Sequence, residues 1–249
     1  MQKITIMLVK TNALVLGKLK YSDSQEIVHL FTEAEGAVSF IVRIPKTKRA
    51  NIRNVLFQPL NQLRVEWDHR GGVQLHRLRS VEVAYAYASL MRQPVKAAVS
   101  TFVAEFLYHA LRNEQAGGAL YGYLASSLQW FDTVEHGYAN FHLALMIHVS
   151  RFLGLFPDGA ADARGRVFDL QNAAFAPELP VHPYYVASDE AAFVPRLLRM
   201  DFHNMHLFPF SRQQRVSVLE WMNTYYRLHI PGFPKLKSIE VLREVFDGM

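Results

Sequence analysis

The chain has no cysteine. Disulfides, cysteine-ligated zinc, iron–sulfur clusters and thiol catalysis are therefore excluded. Thirteen glycines are present, yet none forms a Gly-rich run ending in Gly-Lys-Ser/Thr or a Gly-x-Gly-x-x-Gly turn, so the usual phosphate-cradling loops are missing. A Gly-x-Ser-x-Gly nucleophile elbow is missing too. The acidic residues are scattered, with no pair placed for acid/base work, and the pattern does not read as an enzyme. Eleven histidines occur without a His-Glu-x-x-His spacing; His203 and His206, near Asp201, are three apart and share a helix face. Capping or core-edge roles are the expectation for them, and neither a metal nor a cofactor is expected. No apolar run approaches the ~18 residues needed to span a bilayer. The apolar run before Lys10 is also too short for a signal peptide, so the expectation is a soluble cytoplasmic protein.

What the chain does have is hydrophobic residues at 50% of its 249 positions, enough for one large core or two ordinary ones. Its first third reads as successive short strands: Asn12–Tyr21, Gln25–Thr32, Ala37–Ile44, Gln62–Trp67 and Val73–Val81. Turn chemistry separates them at Ser22–Ser24, Glu33–Gly36, Pro45–Pro59 and Asp68–Gly72. Five short strands without a crossover helix suit a small closed barrel, and a five-stranded OB-type β-barrel is the specific expectation. Phe31 and Phe40, set among aliphatic residues, belong in its core.

Charge is concentrated in the same third. Residues 1–79 carry 13 basic and 6 acidic side chains, a surplus of seven, while the remainder carries 14 and 16. A basic module joined to a mildly acidic body points to a polyanionic partner. Lys46, Lys48, Arg49 and Arg53 crowd into eight residues, with Arg43 just before them. Lys18 and Lys20 share a strand face, Arg64 alternates with Val65, and Arg77 and Arg79 flank Leu78. A groove that tracks a phosphate backbone needs cations on one face with rings nearby for stacking. Tyr21, Phe31, Phe40, Phe57 and Trp67 are the rings available, although most are expected to fill the barrel. The candidate nucleic-acid-binding residues are thus Lys18, Lys20, Arg43, Lys46, Lys48, Arg49, Arg53, Arg64 and Arg77.

Between Val81 and Leu90 the strand period gives way to a helical one, which divides the chain into a barrel domain at 1–81 and a helical domain at 82–249. Helices are predicted over Val95–Leu111, Leu120–Phe131, Tyr138–Leu153 and Asp189–Met200. The third is apolar on nearly all sides, as suits the centre of a bundle. Ser211 and Gln214 form a capping box for a helix that runs to His229, and Ser238 is placed to cap a last helix over Ile239–Phe246. Residues 155–188, rich in Pro and Gly, are an irregular insertion in which Val167–Leu170 and Tyr184–Val186 are suited to pair. The whole is an α+β chain, a barrel followed by an all-α domain.

Two stretches resemble one known family. Thr11–Leu16 followed by Tyr21, Glu26, Ile27, Phe31-Thr32, Gly36 and the basic Lys46–Arg49 resembles the N-terminal OB domain of the RecO family. Tyr225–His229 through Phe233, Lys235–Ser238, Val241-Leu242 and Phe246 is similar to that family's closing segment. The resemblance implies a non-enzymatic DNA repair and recombination mediator that binds single- and double-stranded DNA and anneals complementary strands. It implies RecR and single-stranded-DNA-binding protein (SSB) as partners, with RecA loaded indirectly on coated strands, and a cytoplasmic, nucleoid-associated setting. Many members carry a four-cysteine zinc module after a Leu-Gly-Leu-x-Pro segment, here Leu153–Pro157; without cysteine that zinc is not expected. Packing of Phe168, Phe175, Tyr184 and Tyr185 is expected to hold the segment instead. A receptor for the acidic, hydrophobic-tipped SSB tail needs an apolar pocket with cations at its rim. Arg92, Lys96 and Arg112, near Phe102, Phe106 and Leu107, are the candidates for it. An OB-fold RNA-binding or RNA-processing factor is the alternative, since a barrel does not by itself choose its polymer. An enzyme built on the helical body stands as a further reading.

Overall fold

The computed structural model describes residues 6–43, 55–115, 117–157 and 166–247. Six strands form the first sheet: β1 (Ile6–Ser22), β2 (Gln25–Thr32), β3 (Gly36–Arg43), β4 (Gln62–Arg70), β5 (Leu75–His76) and β6 (Leu78–Tyr85). Their order is β5-β3-β2-β1-β4-β6. β1 begins well before the expected Asn12, because its first half pairs with β4 and its second half with β2. Register shifts between Val15 and Gly17 and between Lys20 and Ser22 bend it from one neighbour towards the other.

The expected fifth strand is present but split. Leu75 and His76 pair in parallel with Ser39 and Phe40 of β3, while Leu78 to Tyr85 pair antiparallel with β4. Only Arg77 separates the two pieces, so the two edges of the sheet are joined by one residue and the sheet curls round to meet itself there. This is the OB-like arrangement predicted, with six hydrogen-bonded strands in place of five.

Inside, Val28, Leu30, Phe40, Leu63, Val65 and Trp67 are sealed from solvent. Each large apolar side chain buried this way contributes roughly 1.5–3 kcal/mol. Phe40 meets Trp67 edge-on at 5.3 Å, and the His76 ring lies against both. Phe31 is also fully buried, as expected. Gly36 has a reason to be glycine: its φ is +69°, and a Cβ there would collide with the carbonyl oxygen of Glu114. The adjacent Ala37 N–H donates to that same carbonyl at 2.8 Å.

The helices that follow are α1 (Pro94–Leu111), α2 (Gly118–Thr133), α3 (Phe141–Phe152), α4 (Ser188–Ala191), α5 (Val194–Leu198), α6 (Arg212–His229) and α7 (Ser238–Asp247), with a short 3-10 turn at Met205–Leu207. The single helix predicted over 189–200 is broken into α4 and α5. Pro195 lacks the N–H that a continuous helix would use, and it sits instead in the first turn of α5. The Ser211–Gln214 capping box is present with both of its bonds. Compactness follows space rather than chain order, giving one unit of residues 1–93 with 103–132 and a second of 94–102 with 133–249. In the second unit α3 is buried on nearly every side, and Tyr226 of α6 donates its hydroxyl to the Met146 carbonyl at 2.7 Å.

The irregular segment does pair. β7 (Val167–Asp169) lies between β8 (Ala174–Ala176) and β9 (Tyr185–Val186). Phe168 and Phe175 pack edge-on at 5.1 Å, but Tyr184 and Tyr185 are exposed. The polar node is Asp169, which accepts from the N–H groups of Gln171 and Asn172 and from Asn172 Nδ2, and lies 3.4 Å from His182 Nε2. The Tyr184 N–H donates to His182 Nδ1, which leaves the proton on Nε2, facing Asp169. Burial alone would raise the Asp169 pKa; the donors around it hold it below the ordinary value.

Candidate nucleic-acid interface

Cations on a barrel face acquire meaning only when their carboxylate partners are subtracted. Lys10 is paired with Glu66 at 2.8 Å, Lys18 with Glu26 at 3.5 Å, Lys20 with Asp23 at 3.1 Å and Arg79 with Asp68 at 2.8 Å. Lys18 is half-buried, so it is the least available of the predicted set. Arg43, Arg64, Arg70 and Arg77 are exposed and have no ion pair among the described residues. Lys46, Lys48, Arg49 and Arg53 lie outside the described residues.

Two of the uncompensated arginines meet in one cleft. A depression of about 690 Å³ runs between the end of β3, at Ile41–Arg43, and Arg77 with the first half of β6, at Leu78–Glu82, with Leu56 and Phe57 beside it. The described chain stops at Arg43 and resumes at Val55, and both Arg43 and Leu56 line this cleft. Arg77 owes its place to the barrel closure, since the residue that joins β5 to β6 has no strand partner and faces outward. Arg64 stands apart on β4, opposite Asn12 and Glu82, and does not line the cleft.

The rings divide unevenly. Phe40, Phe57 and Trp67 are buried inside the barrel and Phe31 is buried on the other face of β2, whereas Tyr21 is 60% exposed and is the one of the five able to stack on a base. Beyond Arg77, Arg70 and Arg79 line a smaller cleft with His76. Arg70 did not stand out in the sequence; its signal was a cation set beside the Gly71-Gly72 turn of a hairpin.

The expected tail receptor on α1 needs correction. Lys96 is only 1% exposed, with its ammonium 5.5 Å from the centre of the Tyr138 ring, so it is not a rim cation. Phe102, Phe106 and Leu107 are fully buried and line no surface. Arg92 and Arg112 are exposed. Among the described residues no group of three His, Cys, Asp or Glu side chains is placed to hold a metal ion. Asp201 instead accepts the backbone N–H groups of His203 and Asn204 in a turn. No described helix is long and apolar enough to cross a membrane.

Comparison with known proteins agrees over nearly the whole chain. The family profile described as Recombination protein O N terminal matches residues 7–87, and Recombination protein O C terminal matches residues 91–239. A DNA repair protein RecO from Bacteroides fragilis is 43% identical over 242 residues, covering 97% of this chain and all of that protein. Its counterpart from Phocaeicola vulgatus is 41% identical over 241 residues, with 97% and 100% covered. The Porphyromonas gingivalis protein is 32% identical over 247 residues, again with 97% and 100% covered.

Proposed function

This chain belongs to the RecO family of recombination and DNA repair proteins, and from that premise we propose that its barrel binds DNA through phosphates gripped along the Arg43–Arg77 cleft. The observation that carries the reading is that two guanidiniums without carboxylate partners among the described residues line one cleft, while four neighbouring cations are paired. The basic stretch holding Lys46, Lys48, Arg49 and Arg53 leaves and rejoins the described chain beside that cleft, which supports giving those side chains the same task. Exposed Tyr21 is suited to stack on a base.

The finer role proposed is that of a mediator. It binds single- and double-stranded DNA, anneals complementary strands, and with RecR helps load RecA on strands coated by SSB, in the cytoplasm at the nucleoid. It works by binding rather than catalysis. The RNA-processing alternative finds no support in the named relatives, all of them DNA repair proteins.

A salt titration tests the reading. Each phosphate contact with a single strand adds about −0.7 to the slope of log K against log salt. Changing Lys46, Lys48 and Arg49 together to Ala is expected to flatten that slope by about 2 units. An unchanged slope and affinity would remove these residues from the interface, and a preference for RNA at equal salt would return the polymer question to the alternative.

A further inference from the structure

The two clefts of the barrel share a wall. Arg77, Leu78 and Arg79 line both the larger cleft and the smaller one of about 420 Å³. Arg43 lines the larger and Arg70 the smaller; each is exposed and without an ion pair among the described residues. Arg79 is engaged by Asp68, so Arg77 is the shared cation not engaged in this way. A guanidinium presents five N–H donors in a planar fork, stays charged at any working pH, and offers separate edges to two anions. Two phosphodiesters brought side by side repel each other, and a cation fixed between them offsets that repulsion where it is largest. The smaller cleft is also lined by Asp68, which is paired with Arg79, and by the apolar Val73, Leu75 and Leu78, against which a sugar or a base face can rest. Both volumes fall in the ~300–1,000 Å³ range of ligand sites.

We propose that the smaller cleft is a second binding site for a single-stranded DNA backbone, so that the barrel holds two strands at once, one on each side of Arg77. This rests on the larger cleft being a DNA site. Arg43 then belongs to the first strand, Arg70 to the second, and Arg77 to both.

The test uses the full chain and two non-complementary oligothymidylates of about 15 nucleotides, near the upper footprint of one OB fold, carrying donor and acceptor dyes. First-strand affinity is measured with one labelled strand, and co-binding by energy transfer in complexes whose mass corresponds to one protein chain. Arg43→Glu is expected to weaken first-strand binding about ten-fold, as a lost phosphate contact and a new like charge require. Arg70→Glu is expected to hold first-strand affinity within about two-fold while energy transfer falls about five-fold. Melting curves matching the wild type establish that both variants fold. Transfer unchanged by Arg70→Glu overturns the second site, as does transfer seen only in complexes of two chains. Equal loss of first-strand affinity in both variants also overturns it, because the clefts would then be one path for one strand. First-strand affinity indifferent to Arg43→Glu instead overturns the DNA reading of the larger cleft.

Discussion

Asp132 accepts the backbone N–H of Leu90 at 2.9 Å, and its carboxylate also takes the N–H groups of Ala88 and Ser89. One buried side chain thus orders the turn that follows β6. Burial alone would raise its pKa, but the three backbone donors and Ser89 outweigh that and hold it below the ordinary value. Asp132→Ala strands these donors and is expected to lower unfolding free energy by about 2–3 kcal/mol in urea titration. Asp132→Asn keeps one acceptor oxygen and turns an amide N–H₂ towards the other donors, so its loss is expected to fall between wild type and Ala. Because the folded pKa is depressed, this contribution is present above the unfolded value and fades as pH falls below about 4.

His142 carries the opposite sign of chemistry. It is fully buried on α3, 6.0 Å from the Phe102 ring, and its pKa is lowered to about 3 by burial and then by the Arg215 charge. It is therefore neutral when folded and takes up a proton on unfolding below about pH 6.5. Stability attributable to this residue is complete above that pH and declines by about 2 kcal/mol between pH 7 and pH 5. His142→Phe is expected to remove that part of the decline. Urea midpoints of the two proteins at pH 7 and pH 5 would show it, and parallel shifts would refute it.

The β7–β8 hairpin is held by a carboxylate in this chain. Chelator is expected to leave the melting curve unmoved, and elemental analysis to find no stoichiometric zinc. Asp169→Ala, by contrast, removes the acceptor of three hydrogen bonds in a nearly buried position and is expected to cost about 2 kcal/mol. One zinc per chain would contradict this account.

With Lys96 withdrawn into the interior, Arg92 and Arg112 are the two exposed cations left of the three proposed for an acidic tail. Lys96→Ala is expected to lower stability by about 1–3 kcal/mol without its own effect on tail binding. Arg112→Glu is expected to weaken binding of a fluorescent tail peptide about five-fold. Equal binding by wild type and variant would show that the end of α1 is not the receptor.

Strand positions, the interior helix and the capping box could be read in the sequence because each is a local pattern of period or spacing. Phe40 was legible as core for the same reason: it alternates with Val38 and Val42 on one strand face. Lys96 misled because a lysine on an amphipathic helix reads as surface, and only the tertiary fold places Tyr138 over it. The candidate site was legible as a surplus of charge but not as a place. Which cations remain unpaired depends on cross-strand neighbours such as Glu66 and Asp68, and register is not written in any single strand. Arg70 was passed over because a lone cation at a turn means little until a second cleft appears beside it.

The seam at Arg77 also bears on how the barrel is made and unmade. On the β3 side it rests on Ser39 opposite Leu75 and Phe40 opposite His76, a short parallel pairing, whereas β4 and β6 are aligned from Trp67 back to Gln62. The β4–β6 hairpin is local in the chain; the β3–β5 pairing must wait for residue 75 to find residue 39. Closure is thus expected late in folding, and its reversal is expected to cost less than opening the β4–β6 pairing. Amide protons at Leu75 and His76 should exchange with solvent ahead of those at Leu63 and Val65. In the proposed DNA complex, a strand lying across Arg77 would act as a latch on this short seam.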